Sequence, residues 1–306
     1  MKKITIKELI NEWKEYKKSL IKESSMAAYN LLIVNHIEPS FKSLGDLTET
    51  KIQKFVYDSF DNGLSSKSVK DIIVVLKMII KFAVKKKYIL YEQIDIKYPS
   101  EKGKNEVEVL SKDNQRKLID YCLDNFSFQN LGILISLCSG MRIGEICALK
   151  WSDINLDNGV IEVRRTIQRI YVVEDDKTYT KMKIDAPKTK SSNRDIPISS
   201  KLLKVIKPLM RIVNKDFYVL TNDEKYTEPR TYRNYYKKLL RKLNIPQIKF
   251  HGLRHSFATR CIESNSDYKT VSVILGHSNI STTLNLYVHP NNEQKKKCIE
   301  NMLKKL

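Results

Sequence analysis

From residue 4 to about residue 90, apolar positions recur at helical spacing. Leu9, Trp13, Tyr16 and Leu20 stand three or four apart and predict an amphipathic first helix. Ser24 is the expected cap of a second helix through Met26, Ala27, Ala28 and Tyr29. Thr48 is the expected cap of a third, with Ile52, Phe55, Val56 and Phe60 on one side. Ser65 or Ser66 opens a fourth, with Val69, Ile72, Ile73, Leu76, Ile80 and Ala83 inward. Four short helices of this kind predict a compact bundle. The polar stretch from Lys97 to Asn105, with Pro99 and Gly103, then interrupts the pattern and reads as a linker.

Helical spacing returns from Asp113 to Leu123, Asn130 to Ser139 and Ile143 to Leu149. The period then shortens. Val160 to Val163, Thr166-Ile167 and Ile170 to Val173 predict strand. Lys183 to Ala186 and Arg194 to Ile198 predict two more strands, joined by the polar turn from Pro187 to Asn193. Helical pattern resumes and runs to Leu306. The expected fold is mainly α with one small antiparallel β-sheet. Its expected parts are a helical domain over 1–97, a linker over 98–108, a second domain over 109–290 and a tail helix over 291–306.

Charge adds a partner to this outline. The 306 residues carry 55 Lys and Arg against 35 acids, a net +20. Such an excess points to a polyanion, most often nucleic acid, although a lysine-rich proteome would also raise it. Residues 1–104 hold 20 Lys, no Arg and 13 acids, while residues 105–306 hold 35 basic and 22 acidic residues. Both halves can therefore contact one duplex. Without arginine forks, the first is expected to read backbone and shape, with Lys, Asn and Gln touching base edges.

Other classes are disfavoured. At 42% hydrophobic residues the chain can build cores. Met1-Lys2-Lys3 runs straight into an amphipathic helix rather than a signal peptide, and apolar runs such as Ile72 to Leu76 are too short to span a bilayer. Cys122, Cys138, Cys147, Cys261 and Cys298 are scattered and read as reduced thiols of a cytosolic protein. None has zinc-ligand spacing, so neither a metal nor a cofactor is indicated.

Candidate chemistry is concentrated in three places. Arg142 stands in Ser139-Gly140-Met141-Arg142-Ile143-Gly144-Glu145, at a helix start, with Glu145 on the same face to orient it or simply to pair with it. His251 and Arg254, in Phe250-His251-Gly252-Leu253-Arg254-His255-Ser256-Phe257-Ala258-Thr259, share a helix face and can reach one phosphate. Leu275-Gly276-His277-Ser278 precedes Thr282-Thr283 and then Tyr287-Val288-His289-Pro290. A single arginine is usually an ion pair, and any one of sixteen tyrosines is usually a core aromatic. Cleaving a phosphodiester, however, requires fixed cations on its non-bridging oxygens, and a planar, always-charged guanidinium suits that task.

Taken together, these segments resemble the tyrosine recombinase (phage integrase) family. The resemblance runs strongly from Val109 to about His289 and more weakly through the N-terminal helices, which are similar to the family's SAM-like core-binding domain. In pattern it leans towards integrases of phages and conjugative transposons, without the extra arm-binding domain that many of them place first. It implies a catalytic domain of the recombinase type and a site-specific DNA recombinase or integrase. That enzyme would work without metal or ATP, through a 3′-phosphotyrosyl intermediate, to integrate or excise a mobile element.

The resemblance also implies a set of roles. Tyr287 is the nucleophile, Arg142, Arg254 and His277 hold the phosphate oxygens, His251 moves the tyrosine proton, and Glu145 supports Arg142. Lys188, in Pro187-Lys188-Thr189-Lys190, matches the lysine that protonates the leaving oxygen, with Lys190 as the neighbouring alternative. His255 is expected to point away as a structural group, and Arg194 to serve as a hairpin or backbone contact. Implied partners are double-stranded DNA sites, a homo-tetramer in the synaptic complex, and accessory DNA-bending or excision factors. The implied location is the cytoplasm, with the protein encoded by a bacterium, phage or mobile element and associated with the nucleoid when bound to DNA. Other readings are a Xer-like resolvase or invertase, a type IB topoisomerase and a non-catalytic DNA-binding regulator.

Overall fold

A computed structural model describes residues 4–99, 107–174, 177–187 and 190–287, with positions 296, 299, 300, 302 and 303 of the tail. The chain divides into two compact units. The first comprises residues 1–104 together with 169–181, and the second comprises 105–168 and 182–306.

In the first unit, α1 (Ile6–Lys18) starts at a capping box. The Thr5 hydroxyl accepts from the Glu8 amide at 3.2 Å, and the Thr5 amide donates to the Glu8 carboxylate at 2.8 Å. α2 (Glu23–Leu32) continues through a π-helical turn at Ile33–Ile37 into the short α3 (Glu38–Ser40). α4 (Glu49–Asp61) is capped by Thr48 and α5 (Ser66–Lys85) by Ser65. The inward faces of α1, α4 and α5, with Ile33, Ile37 and Phe41, enclose a core around the fully buried Trp13. Some details depart from the sequence pattern, and Tyr16 on α1 is exposed. Leu20 lies beyond the end of α1 and is exposed. The cap position of α2 is Lys22, so Ser24 sits inside the first turn, where its hydroxyl is buried.

In the second unit, α6 (Lys112–Asp124) and α7 (Phe128–Ser139) are capped by Ser111 and Ser127, and α7 is buried almost throughout. The short α8 (Ile143–Cys147) follows. Strands β1 (Ile154–Asn155) and β2 (Val160–Val163) come next, then β3 (Thr166–Glu174), β4 (Lys177–Asp185) and β5 (Arg194–Pro197). α9 (Ser200–Leu209), α10 (Pro229–Lys242), α11 (His251–Glu263), α12 (Tyr268–Leu275) and α13 (Ser281–Tyr287) complete the described elements. Leu131, Ile135, Ile146, Trp151, Ile161, Tyr232, Tyr236 and Leu253 form its central core.

The single expected sheet is two sheets among the described residues, ordered β1-β2-β5 and β3-β4. β5 does not pair with β4 across the polar turn. It pairs antiparallel with β2, Ile196 opposite Ile161 and Arg194 opposite Val163. Alternation of apolar residues sets which face of a strand is buried, but it does not choose the partner. Here burial of Ile161 and Ile196 selects a pairing more than thirty residues apart. Residues 169–181, the distal part of β3-β4, belong to the first unit, where Lys181 Nζ lies 2.7 Å from Glu23 Oε1.

Candidate active site

α7 ends where Gly140 adopts a left-handed conformation, φ 64°. A Cβ there would come within 2.7 Å of Leu275 and Phe257, so only glycine lets the chain turn against α11 and α12. Arg142 follows as the cap residue of α8. Its amide donates to Glu145 Oε2 at 2.8 Å, its Nη1 to Glu145 Oε1 at 2.9 Å, and its Nη2 to the Gly276 carbonyl at 3.3 Å. The side chain remains 36% exposed, so the guanidinium is held by protein on one side and open on the other.

Glu145 carries a second arginine. Arg194, at the start of β5, donates Nη1 and Nη2 to the two carboxylate oxygens at 3.1 and 3.0 Å. It also donates Nε to the Ile274 carbonyl at 2.5 Å and Nη1 to that of Ser192 at 3.1 Å. Burial alone would raise the Glu145 carboxyl, but the hydrogen bonds and charge of Arg194, with Arg142 behind them, hold it below its ordinary value. Arg194, expected to stand outside the active set, is instead tied directly to the Arg142 site by its fork on Glu145. The signal for this was faint: a lone arginine opening a strand.

Arg254 is almost wholly buried on α11. It donates to the Gly140 carbonyl at 2.9 Å and the Leu275 carbonyl at 2.7 Å, the oxygens that end α7 and α12. Helix C-termini attract cations. Burial first, then Arg142, lowers the guanidinium to about 9, which leaves it protonated at neutral pH.

His251 opens α11, and His255 follows one turn later with the rings edge-to-face at 4.6 Å. His255 Nδ1 is hydrogen-bonded to the Tyr287 hydroxyl. The expectation that His255 points away is therefore corrected. Its spacing four residues after His251 was the available signal, since both fall on one helix face. Ser256 is buried and structural, accepting from the Leu110 amide at 2.8 Å and donating to the Gly252 carbonyl at 2.7 Å.

α12 ends at Gly276, again left-handed at φ 67°. The turn delivers His277, whose Nδ1 is hydrogen-bonded to Thr283 Oγ1 at 2.8 Å. Burial, then Arg254 and Arg142, pushes its imidazole down to about 4. Tyr287 closes α13, 8% exposed, with its hydroxyl pushed up to about 12 by burial against the opposing pull of Arg254. A cavity of about 450 Å³ opens beside these groups, lined by Arg142, Gln168, Pro187, Ser192, His277 and Thr282 among others.

The structure thus places Arg142, Glu145, His251, Arg254, His277 and Tyr287 in one site of the second unit. Lys188 lies outside the described residues, as does the side chain of Lys190. Among the described residues no group of three or more His, Cys, Asp or Glu side chains could hold a metal ion, and no helix is long and apolar enough to cross a membrane.

Residues 108–294 match the phage integrase family, and residues 5–58 match the N-terminal SAM-like domain of phage integrases. The chain belongs to the phage integrase family. Like other members of that family it is an enzyme, a site-specific recombinase of the tyrosine type acting on DNA. A XerC-like tyrosine recombinase of Caldanaerobacter subterraneus subsp. tengcongensis is 29% identical, across 98% of this chain and 83% of that one. The ICEBs1 integrase of Bacillus subtilis is 23% identical, across 86% of this chain and 73% of its own. The Tn1549 transposon integrase, solved in complex with transposon right end DNA, has the same fold. Its TM-score is 0.78 at 22% identity, covering 98% of this chain and all 100% of that one.

Proposed function

We propose that this phage integrase family member cleaves and rejoins DNA through a 3′-phosphotyrosyl bond to Tyr287, in the service of a mobile element. The observation that carries the reading is the shared anchorage of the two arginines. Arg254 and Arg142 donate to the successive carbonyls of Leu275 and Gly276, and the next residue is His277. Three donors for one phosphate are thereby organised at one helix end, in the unit that also holds the Tyr287 hydroxyl.

Transition-state charge on the non-bridging oxygens falls to Arg142, Arg254 and His277. Glu145 positions Arg142. His251 assists proton movement beside the nucleophile. Lys188, or Lys190 next to it, protonates the departing 5′-oxygen, a poor leaving group without a proton. The phosphotyrosyl ester conserves the energy of the broken bond, so a 5′-hydroxyl can reverse the step without ATP.

Four copies act together on two sites. The tail supports this, because Ile299, Met302 and Leu303 present exposed apolar surface on a helical segment. Similarity to the ICEBs1 integrase and to the Tn916 transposase of Enterococcus faecalis, 29% identical across 59% of this chain and 47% of that one, supports integration and excision.

Incubation with a nicked suicide substrate tests the chemistry. A covalent adduct that disappears in Tyr287→Phe is expected. Intact protein that binds the substrate yet never forms an adduct would leave only a DNA-binding role. Strand exchange between two sites, rather than supercoil relaxation, separates recombination from topoisomerase action. Undiminished cooperative synapsis after removal of residues 292–306 would show that the tail of one copy does not dock on its neighbour.

A further inference from the structure

We propose that His255 holds the Tyr287 hydroxyl and takes its proton when the phenolic oxygen attacks DNA, a role that rests on Tyr287 being the nucleophile. His255 stands one turn after His251 on α11, and its Nδ1 is hydrogen-bonded to the Tyr287 Oη, with ring centroids 5.6 Å apart. His251 meets His255 edge-on at 4.6 Å, so the assistance it gives to proton movement runs through the ring that holds the nucleophile. The contact with the reacting atom is made by His255.

The surroundings suit the task. His255 is faced by His251 and Arg254 on its own helix, by Tyr287 on α13, and by Glu108 on the segment leading into α6. Burial, then Arg254, lowers its imidazole against the opposing pull of Glu108. The ring is therefore neutral at neutral pH, and in the tautomer that carries its proton on Nε2 the Nδ1 lone pair faces a tyrosine that is itself a neutral phenol. An imidazolium could not accept that proton, and a fully hydrated tyrosine would lack a fixed direction of attack.

The step balances. The Tyr287 Oη–P bond forms as the P–O5′ bond breaks. The phenolic proton passes to His255 Nδ1, and a separate acid delivers a proton to O5′. On rejoining, a 5′-hydroxyl attacks phosphorus, its proton returns to that acid, and the His255 imidazolium returns its proton to the departing Tyr287 oxygen.

The test is single-turnover adduct formation by the full chain on a nicked duplex, with duplex binding as the control for folding. His255→Ala is expected to slow adduct formation at pH 7 by about 10²-fold, the lower end for loss of a general base. His255→Asn, which can keep the hydrogen bond but cannot take the proton, is expected to remain at least about tenfold slow.

Both variants should then accelerate about tenfold per pH unit between about pH 7 and 9, as solvent removes the phenolic proton, while the unmodified protein stays nearly flat. A 5′-bridging phosphorothiolate, whose thiol leaves without protonation, should not relieve the His255→Ala defect. Unchanged or faster cleavage, a loss of equal size at every pH, or relief by the phosphorothiolate would each overturn the role. If Tyr287→Phe still formed the adduct, the underlying reading would fail instead. If Tyr287→Phe is inert while both His255 variants cleave normally, only the role of His255 fails.

Discussion

The Arg194 guanidinium lies forked on the Glu145 carboxylate, at 3.1 Å to Oε1 and 3.0 Å to Oε2, and both side chains are nearly sealed from water. Arg142 shares the same carboxylate from its open side. A buried acid between two arginines fixes the outer one, because it cannot follow Arg142 outwards without abandoning Arg194.

Removing that acid should therefore be severe. Glu145→Ala leaves Arg194 buried without its counter-charge, which costs about 3–5 kcal/mol for a broken buried pair. Chemical denaturation is expected to show a loss of that order, with cleavage impaired as well. Glu145→Gln keeps the shape and should lose less. An alanine variant as stable as the parent would mean the pair contributes nothing.

Arg142→Ala should behave differently. Its side chain is partly exposed and Glu145 keeps Arg194 as a partner, so stability is expected to change by no more than about 1 kcal/mol. Cleavage should fall by at least ~10²-fold through loss of a charge that stabilises the transition state. Duplex affinity, measured by mobility shift, should stay close to the parent's. Equal losses in binding and cleavage would mark Arg142 as an ordinary phosphate contact.

Acid should weaken the second unit before it unfolds other parts of the protein. His277 is held at about 4 by burial and by Arg254 and Arg142. His251 is also held at about 4, by partial enclosure and then by His255, Arg254 and Arg142, although part of its ring stays open to solvent. In the unfolded chain both would titrate near 6.5. Between about pH 6.5 and 4 the unfolded state thus binds more protons, so stability is complete above that window and declines as pH falls through it. The denaturation midpoint should be lower at pH 5 than at pH 7.5, and the difference should shrink in a His251→Asn, His277→Asn double variant. An unaltered difference would place the acid sensitivity elsewhere.

Gly276→Ala tests how His277 is delivered. The residue is left-handed, and an added Cβ would sit 2.8 Å from the Ser191 carbonyl. The conformation alone costs about 1–2 kcal/mol for an L side chain, and the carbonyl cannot yield without shifting β5. Lower thermal stability and slower cleavage are expected together. A variant that loses stability but cleaves at the parent rate would show that the placement of His277 tolerates the shift.

Part of the molecule was legible in its residues and part was not. The periodicity of Val69, Ile72, Ile73, Leu76, Ile80 and Ala83 marked the buried face of α5, and Thr48 and Ser65 marked two helix starts, because caps and apolar stripes are local effects. The pairing of β5 with β2 was hidden, since strand alternation carries no address. Ser24 misled because its hydroxyl suits a cap, while the helix starts earlier, at the Lys22 cap, and leaves that hydroxyl buried inside the first turn.

By itself the sequence determined which groups are present: two arginines, three histidines and a tyrosine within recognisable motifs, in a strongly basic, mainly helical chain. Only the tertiary structure decided which of them touch. Arg194 joins Glu145 from 49 residues away, and His255 meets Tyr287 from 32. Those contacts depend on two left-handed glycine turns and on the packing of α7, α11 and α12. Motif spacing records neighbours along the chain, whereas hydrogen bonds and ion pairs are set by distance in the folded core.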